Sequence, residues 1–283
     1  MITDAQHMKA DSFRALHHNG VLVLPNAWDA GSAAMIARAG ASAIATTSAG
    51  VSWALGRPDG ENLSREEMVE VIARIVGTVD LPVSADIEGG YGPSPQDVAL
   101  TVRAVVAAGA VGINLEDSLA PGGPLYEPEI QASRIAAARD AAASAGLPGL
   151  FVNARTDVFL FGIGAEAGRF DDVVARAKLY ADAGADGLFV PGLLELDTLR
   201  RLSEAVALPV NAMAGPGAPS VAELQAAGVR RVSIGQTIAQ SAYSLARRAA
   251  EQALTTGRYD VLSDADPFGD FNGSLPSRTI AAP

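Results

Sequence analysis

Short apolar segments recur along the chain and alternate with Ala-rich segments of helical periodicity. After the opening segment NGVLVLPN (19–26), each apolar segment follows an Ala-Gly pair that ends a helix, as in ARAGASAIATT (37–47), or a Leu-Pro pair that opens a strand, as in DLPVSAD (80–86). Glycine ends a helix at little cost in conformational energy because it adopts positive φ, and proline is tolerated at the first position of a strand. The pattern predicts about eight strands, which begin near residues 21, 42, 82, 111, 149, 186, 208 and 231.

Continuous apolar strands that alternate with helices are typical of a parallel sheet covered on its faces. Eight such units predict an α/β fold, a TIM-type (β/α)₈ barrel, which needs roughly 250 residues. A doubly wound open sheet is the alternative, and the lack of G-x-G-x-x-G after the first strand weakens its dinucleotide-binding form. We expect one domain over residues 1–283, with residues 238–283 forming a C-terminal helix and a packing arm.

Composition narrows the choice of partners. The formal net charge is −11, and an acidic surface repels nucleic acid and anionic membranes. A small anionic molecule can still bind where an Arg or a metal ion reverses the local field. The chain has no cysteine, which excludes disulfides, zinc–thiolate sites and a Cys nucleophile. We see no signal peptide and no apolar run long enough to span a bilayer, so we expect a cytoplasmic protein.

Acidic side chains collect where two neighbouring predicted strands end. Asp86 and Glu88 close the third strand, and Glu116 and Asp117 close the fourth. Barrel active sites lie at these carboxyl ends, and like charges so close together need a cation. Oxygen ligands without Cys or His favour Mg²⁺ and also suit Mn²⁺. Arg155 ends the next strand and is placed to bind a substrate carboxylate. The alternative is that these acids cap helices or pair with surface cations.

Two loops and the histidines complete the candidates. Backbone N–H groups of residues 47–50 would face a carboxylate or phosphonate, unless this segment is an ordinary strand-to-loop turn. Loop 118–128 (SLAPGGPLYEP) is either a lid that excludes water or an inert connection. His7, His17 and His18 all precede the first strand. We expect them to be solvated in an N-terminal helix, which argues against a His-based catalytic centre.

Three motifs together resemble the isocitrate lyase / phosphoenolpyruvate mutase superfamily. They are D-I-E-G-G-Y-G (86–92), N-L-E-D (114–117) and N-A-R (153–155). The segment TSAGVSWALGRPDGE (47–61) also looks like the substrate loop of that family. The resemblance covers roughly residues 10–255 and agrees with a barrel fold.

The resemblance implies roles for single residues. Asp86 would bind Mg²⁺ directly, and three further acids would hold it directly or through water, namely Asp59, Glu88 and Glu116. Arg155 would bind the anionic groups of the substrate, and Asn211 would also reach it. Backbone groups of one loop would hold the substrate carboxylate, namely Ser48, Ala49 and Gly50. Arg155, Glu116 and Tyr91 are the catalytic candidates. The proton donor or base is unassigned, and Tyr91, Tyr126 and Glu127 are candidates for it by position only.

The shared chemistry implied by the resemblance is bond cleavage next to a carbonyl, which leaves an enolate that the metal and Arg155 stabilise. The family's lyases carry a Cys in a K-[KR]-C-G-H signature on the loop after the fourth strand, and its mutases carry a Lys and an Asn there. Loop 118–128 has none of these residues. The resemblance also implies a homo-oligomer, a tetramer or a dimer, in which residues 238–283 pack on a neighbouring subunit.

The function we expect is Mg-dependent cleavage of a C–C bond in a small 2-oxo or 2-hydroxy dicarboxylic acid, oxaloacetate-like or malate-like. One alternative is a P–C bond mutase or hydrolase that acts on phosphonopyruvate or a carboxyphosphonate. The other is a non-catalytic barrel that binds a small carboxylate.

Overall fold

The strands form one parallel sheet that curves into a nearly closed barrel. The computed structural model describes residues 2–276. Within them lie nine strands: β1 Leu22–Leu24, β2 Asn26–Ala27, β3 Ile44–Thr46, β4 Val83–Asp86, β5 Gly112–Glu116, β6 Phe151–Arg155, β7 Gly187–Phe189, β8 Val210–Met213 and β9 Arg231–Ser233. The order around the sheet is β1-β9-β8-β7-β6-β5-β4-β3-β2.

The two edges of this sheet are consecutive parts of one strand. β1 pairs with β9 and β2 pairs with β3, and only Pro25 separates them. Proline has no N–H to donate, so it interrupts a ladder where it stands. The eight predicted strands therefore correspond to the nine observed ones, and the predicted barrel is confirmed.

Helices follow the strands and cover the barrel. The described residues contain α1 Asp4–Leu16, α2 Ala30–Arg38, α3 Ser48–Ala54, α4 Arg65–Val76, α5 Pro95–Ala107, α6 Pro128–Ser144, α7 Arg169–Asp182, α8 Leu196–Ala205, α9 Val221–Ala226, α10 Thr237–Thr256 and α11 Phe268–Gly273. Several start at reciprocal capping boxes. Ser64, Ser94 and Ser220 each accept a bond from the backbone three residues on, where an acid bonds back to the cap.

The N-terminal helix α1 lies against the N-terminal end of the barrel, which corrects the expectation for one histidine. His17 directly follows α1 and is only 2% exposed. Its ring stacks on Phe151 with centroids 3.9 Å apart, and its Nδ1 lies 2.8 Å from the carbonyl oxygen of Phe13. Burial lowers the pKa of His17 to about 3. A position beside the first residue of β6 keeps this ring far from the carboxyl ends of the strands.

The C-terminal helices are largely exposed. Only Ala239 of α10 is buried, and α11 contacts the barrel through an ion pair between Arg38 and Asp270 at 3.0 Å. Residues 277–283 of the predicted arm lie outside the described residues. Among the helices of residues 2–276, none is long and apolar enough to cross a bilayer.

Candidate active site

The end of β4 places Asp86 opposite the first turn of α3. Its N–H donates to Thr46 Oγ1 at 2.8 Å, and its Oδ2 accepts from the N–H of Ser48 at 3.1 Å. The first N–H groups of a helix have no acceptor within the helix. Those of Ala49 and Gly50 belong to this same turn. The predicted substrate loop thus presents backbone donors beside the candidate metal ligand.

Glu88 and Tyr91 meet on the loop that follows β4. The carboxylate of Glu88 is buried and accepts from the N–H of Glu61 at 2.5 Å and from the hydroxyl of Tyr91 at 3.1 Å. Glu88 and Tyr91 have φ of 49° and 58°, a left-handed conformation that is costly for residues other than glycine. Burial raises the pKa of Glu88 to about 7, and the charges of Asp86 and Asp59 act in the same direction.

Arg134 of α6 holds this strained loop. It is fully buried, and its guanidinium donates to the carbonyl oxygens of Gly89, Gly92 and Pro93, the last two at 3.0 and 2.5 Å. Charge-assisted hydrogen bonds to three carbonyl groups of one loop fix the path of its backbone. Neither Arg134 nor Glu61 was a predicted site residue, because each contacts a loop that is distant from it in sequence.

Arg155 lies between two acids at the end of β6. Its Nη1 pairs with Glu116 Oε2 at 2.8 Å, and its Nε and Nη2 donate to the two oxygens of Asp157 at 2.7 and 3.0 Å. These contacts use three of the five guanidinium N–H groups, which leaves two for a ligand. Burial alone would lower the pKa of Arg155, but the two acids raise it. Burial also raises the pKa of Glu116, although Arg155 opposes this.

Asp117 does not join the other acids, so the expectation of four acids in one cluster is wrong for this residue. Successive strand residues point to opposite faces. Glu116 therefore faces the barrel mouth, and Asp117 turns towards the surrounding helices. Asp117 is fully buried and binds the hydroxyl of Tyr180 at 2.9 Å and the guanidinium of Arg176 at 3.2 Å. It forms a structural ion pair.

Asp117→Asn is expected to lower the free energy of unfolding by about 3 kcal/mol, because it leaves the buried Arg176 guanidinium without its buried counter-charge. Asp172→Asn is the matched control. Asp172 also pairs with Arg176, at 3.1 Å, but its side chain is 38% exposed, and we expect a loss below about 1 kcal/mol. Urea unfolding of both variants measures the difference. Equal losses would contradict the assignment of Asp117 to the structural pair.

Asn211 lies inside the barrel with its amide already engaged. Its Oδ1 accepts from Asn153 at 3.0 Å and from Ser233 at 3.1 Å. Its Nδ2 donates to the carbonyl oxygens of Ala212 and Arg231, at 2.8 and 3.2 Å. The structure therefore places Asn211 in an interior amide network, and its contact with substrate stays a prediction.

A comparison with protein families shows which family has this fold. A family model described as phosphoenolpyruvate phosphomutase matches residues 13–254. The chain belongs to the phosphoenolpyruvate phosphomutase family. The superfamily of which this family is part consists of lyases and mutases, so the predicted resemblance is confirmed.

Individual relatives of this phosphomutase-family chain agree. An uncharacterized protein of Mycobacterium tuberculosis (strain CDC 1551 / Oshkosh) is 37% identical, over 93% of this chain and 96% of its own. The 2-methylisocitrate lyase of Escherichia coli (strain K12) is 32% identical, over 72% of this chain and 69% of its own. A solved candidate lyase/mutase from Burkholderia cenocepacia J2315 has a TM-score of 0.88 and 41% identity, with 96% of each chain covered.

The acids of this phosphomutase-family site suit a hard divalent cation chemically. Burial and the charge of Asp86 raise the pKa of Asp59, and Asp86 also opposes the ionisation of Glu88 and Glu116. Oxygen donors that repel one another in this way fit Mg²⁺ or Mn²⁺. As they stand, no three His, Cys, Asp or Glu side chains of residues 2–276 are grouped so as to hold a metal ion. Glu88 is held by its hydrogen bonds to Glu61 and Tyr91 instead, and Glu116 by its ion pair with Arg155.

Mg²⁺ affinity is expected to fall about tenfold as the pH drops from 8 to 6, because a proton then competes with the metal for Glu88. Stability of the metal-free protein should change in the opposite direction. Folding raises the pKa of Glu88 from 4.5 to about 7, so protonation of Glu88 stabilises the folded state. This contribution to the free energy of unfolding is present at low pH and is lost as the pH rises through 7. Calorimetric Mg²⁺ titrations at several pH values measure this, and Glu88→Gln should flatten both profiles.

Proposed function

We propose that the protein is a Mg²⁺-dependent lyase that breaks a C–C bond in a small 2-oxo or 2-hydroxy dicarboxylic acid through an enolate. The main support is the placement of three groups at one end of the barrel. These are the acid Asp86, the backbone donors of α3, and Arg155 held between Glu116 and Asp157. The relationship to a 2-methylisocitrate lyase gives independent support for C–C cleavage.

Each group has a distinct task in this proposal. Asp86 would hold the metal with Asp59, Glu88 and Glu116, and Mn²⁺ suits the same oxygens. A bound divalent ion acts as a Lewis acid and supplies several kcal/mol of stabilisation to a developing negative charge. The two free N–H groups of Arg155 would bind an anionic group of the substrate.

The remaining tasks are orientation and proton transfer. The N–H groups of Ala49 and Gly50 would orient the substrate carboxylate, as helix N-termini commonly do for anions. The N–H of Ser48 already donates to Asp86. This hydrogen bond would fix the first turn of α3, and the substrate carboxylate bound to it, relative to the acids. The hydroxyl of Tyr91 donates to Glu88 and is our candidate for holding a proton beside the reacting carbon.

A P–C bond mutase or hydrolase is the second candidate, favoured by the description of the matching family model. Loop 118–128 has neither Lys nor Asn, so two of the residues that the resemblance implies for that chemistry are missing. A barrel that binds a small carboxylate without turning it over is the third.

A substrate panel with Mg²⁺ separates these functions. Oxaloacetate, 2-methylisocitrate and 2,3-dimethylmalate test C–C cleavage, phosphonopyruvate tests P–C chemistry, and a chelator provides the metal-free control. We expect turnover of a C–C substrate that stops with chelator. Turnover of phosphonopyruvate alone would favour the second candidate. No turnover of any compound, with tight binding of oxalate, would favour the non-catalytic barrel.

We propose that the protein is a homo-oligomer, a tetramer or a dimer, joined through its C-terminal helices. α10 buries only Ala239, and large apolar side chains at its end and after it are exposed, among them Leu254 (87%), Tyr259 (69%) and Phe268 (84%). Exposed apolar residues in this density are typical of contact surfaces. Light scattering of the full chain and of Leu254→Glu tests the assembly.

A further inference from the structure

A cavity of about 300 Å³ lies beside Glu88 and Glu116, beneath loop 118–128. It opens on the same side of the barrel as the predicted metal ligands. Its other walls come from the loops around the barrel mouth and include Glu61, Leu119, Pro121 and Tyr126.

Two loops meet over this cavity. An isolated antiparallel bridge joins Ser118 to Leu125, which folds loop 118–128 back on itself. On the opposite side, the backbone of Gly60 approaches Pro121 so closely that a Cβ on Gly60 would overlap the proline ring. Loop 118–128 therefore covers the cavity, and its opening and closing as a lid stays a prediction.

Apart from Ser118, whose hydroxyl donates to Asp157 at 2.6 Å, the side chains that line the cavity are acidic or apolar. Glu61, Glu88 and Glu116 are the charged lining residues, and no Lys, Arg or His of the described chain lines the cavity. Two arginines touch its walls but are committed elsewhere. Arg155 binds two acids and, in the proposed function, one anionic group of the substrate, and Arg134 binds loop carbonyls. The proposed Mg²⁺ would bring two positive charges against the four acids that hold it, so a third anionic group of a substrate would be desolvated here without a spare counter-charge. Burial of an unpaired charge is costly.

We propose that this cavity binds an uncharged, apolar substituent of the substrate, an alkyl or aryl group. Leu119, Pro121 and Tyr126 supply its apolar surface, and the guanidinium of Arg134 lies 4.2 Å from the ring centroid of Tyr126, which fixes that wall. The inference rests on the proposed function, in which the substrate carboxylates are bound by α3 and Arg155. The part of the substrate beyond these carboxylates is then uncharged and apolar, which disfavours tricarboxylates.

Isocitrate and 3-isobutylmalate form a matched pair of probes. Both contain a malate core, and an isopropyl group in the second replaces the terminal carboxylate of the first. Binding of each to the full-length protein with saturating Mg²⁺ is measured by calorimetry, with oxalate as the reference ligand. We expect 3-isobutylmalate to bind at least about tenfold more tightly, as apolar pockets discriminate on this scale. Equal or tighter binding of isocitrate overturns the inference.

Leu119→Lys tests the wall itself. A lysine there supplies the missing cation, so isocitrate should gain about tenfold relative to 3-isobutylmalate. Leu100→Lys is the matched control, because Leu119 and Leu100 are 49% and 47% exposed and Leu100 lies on α5, outside the cavity lining. An unchanged preference in Leu119→Lys, or the same gain in Leu100→Lys, overturns the assignment.

Oxalate distinguishes this inference from the proposed function. If oxalate does not bind in the presence of Mg²⁺, the proposed function falls and the inference falls with it. If oxalate binds and isocitrate binds at least as tightly as 3-isobutylmalate, only the inference falls.

Discussion

Asp86→Ala is expected to weaken Mg²⁺ binding by at least about 100-fold and to abolish turnover, while the fold is retained. Loss of groups that merely support a metal ligand already costs 10–100-fold, and Asp86 is the acid whose charge acts on Asp59, Glu88 and Glu116 together. Its removal also leaves the N–H of Ser48 without its acceptor. Calorimetry measures the metal affinity, and circular dichroism checks the fold.

The stability of this variant should not fall in parallel with its metal affinity. Removing one of several mutually repelling acids relieves charge repulsion in the metal-free protein, so we expect an unchanged or slightly higher melting temperature without Mg²⁺. Asp140→Ala, an exposed position on α6, controls for loss of one negative charge and should leave the metal affinity unchanged. Unchanged Mg²⁺ affinity in Asp86→Ala would remove the basis of the proposed site.

The barrel was predictable because its signals are local. Apolar runs, Ala-Gly helix ends and Leu-Pro strand starts each occupy a few residues, and strand count then limits the architecture. Strand ends also predicted the placement of Asp86, Glu116 and Arg155, since the carboxyl ends of parallel strands share one side of a barrel.

What sequence reasoning missed depends on contacts between distant segments. The backbone of Glu61 donates to Glu88, and Arg134 reaches loop carbonyls about 40 residues away along the chain. No local pattern marks such a residue within an Ala-rich helix. The predicted place of Asp117 beside the other acids is wrong because adjacent acids in the motif N-L-E-D suggest one cluster, whereas strand alternation separates their side chains. The predicted exposure of His17 is wrong because its burial depends on contacts with β6, which is distant in sequence.

Arg155→Lys is expected to lower kcat by about 10²–10³-fold, with a smaller effect on Mg²⁺ affinity. Loss of one preorganised donor to a developing negative charge costs roughly 3–4 kcal/mol. Lysine keeps the charge but not the planar fork that binds both oxygens of Asp157 and pairs with Glu116. The variant thus separates donor geometry from charge.

Arg139→Lys provides the matched control, since Arg139 is also a largely buried arginine that pairs with an acid, Asp186, and with the carbonyl of Leu150 at 2.7 Å. We expect it to lower the melting temperature without changing kcat. Steady-state kinetics on the best substrate, with melting curves for both variants, make the comparison. If Arg155→Lys kept kcat within about twofold of the parent, the guanidinium would have no role in stabilising charge on the reacting group. Arg155 would then serve only to hold Glu116 and Asp157 in place.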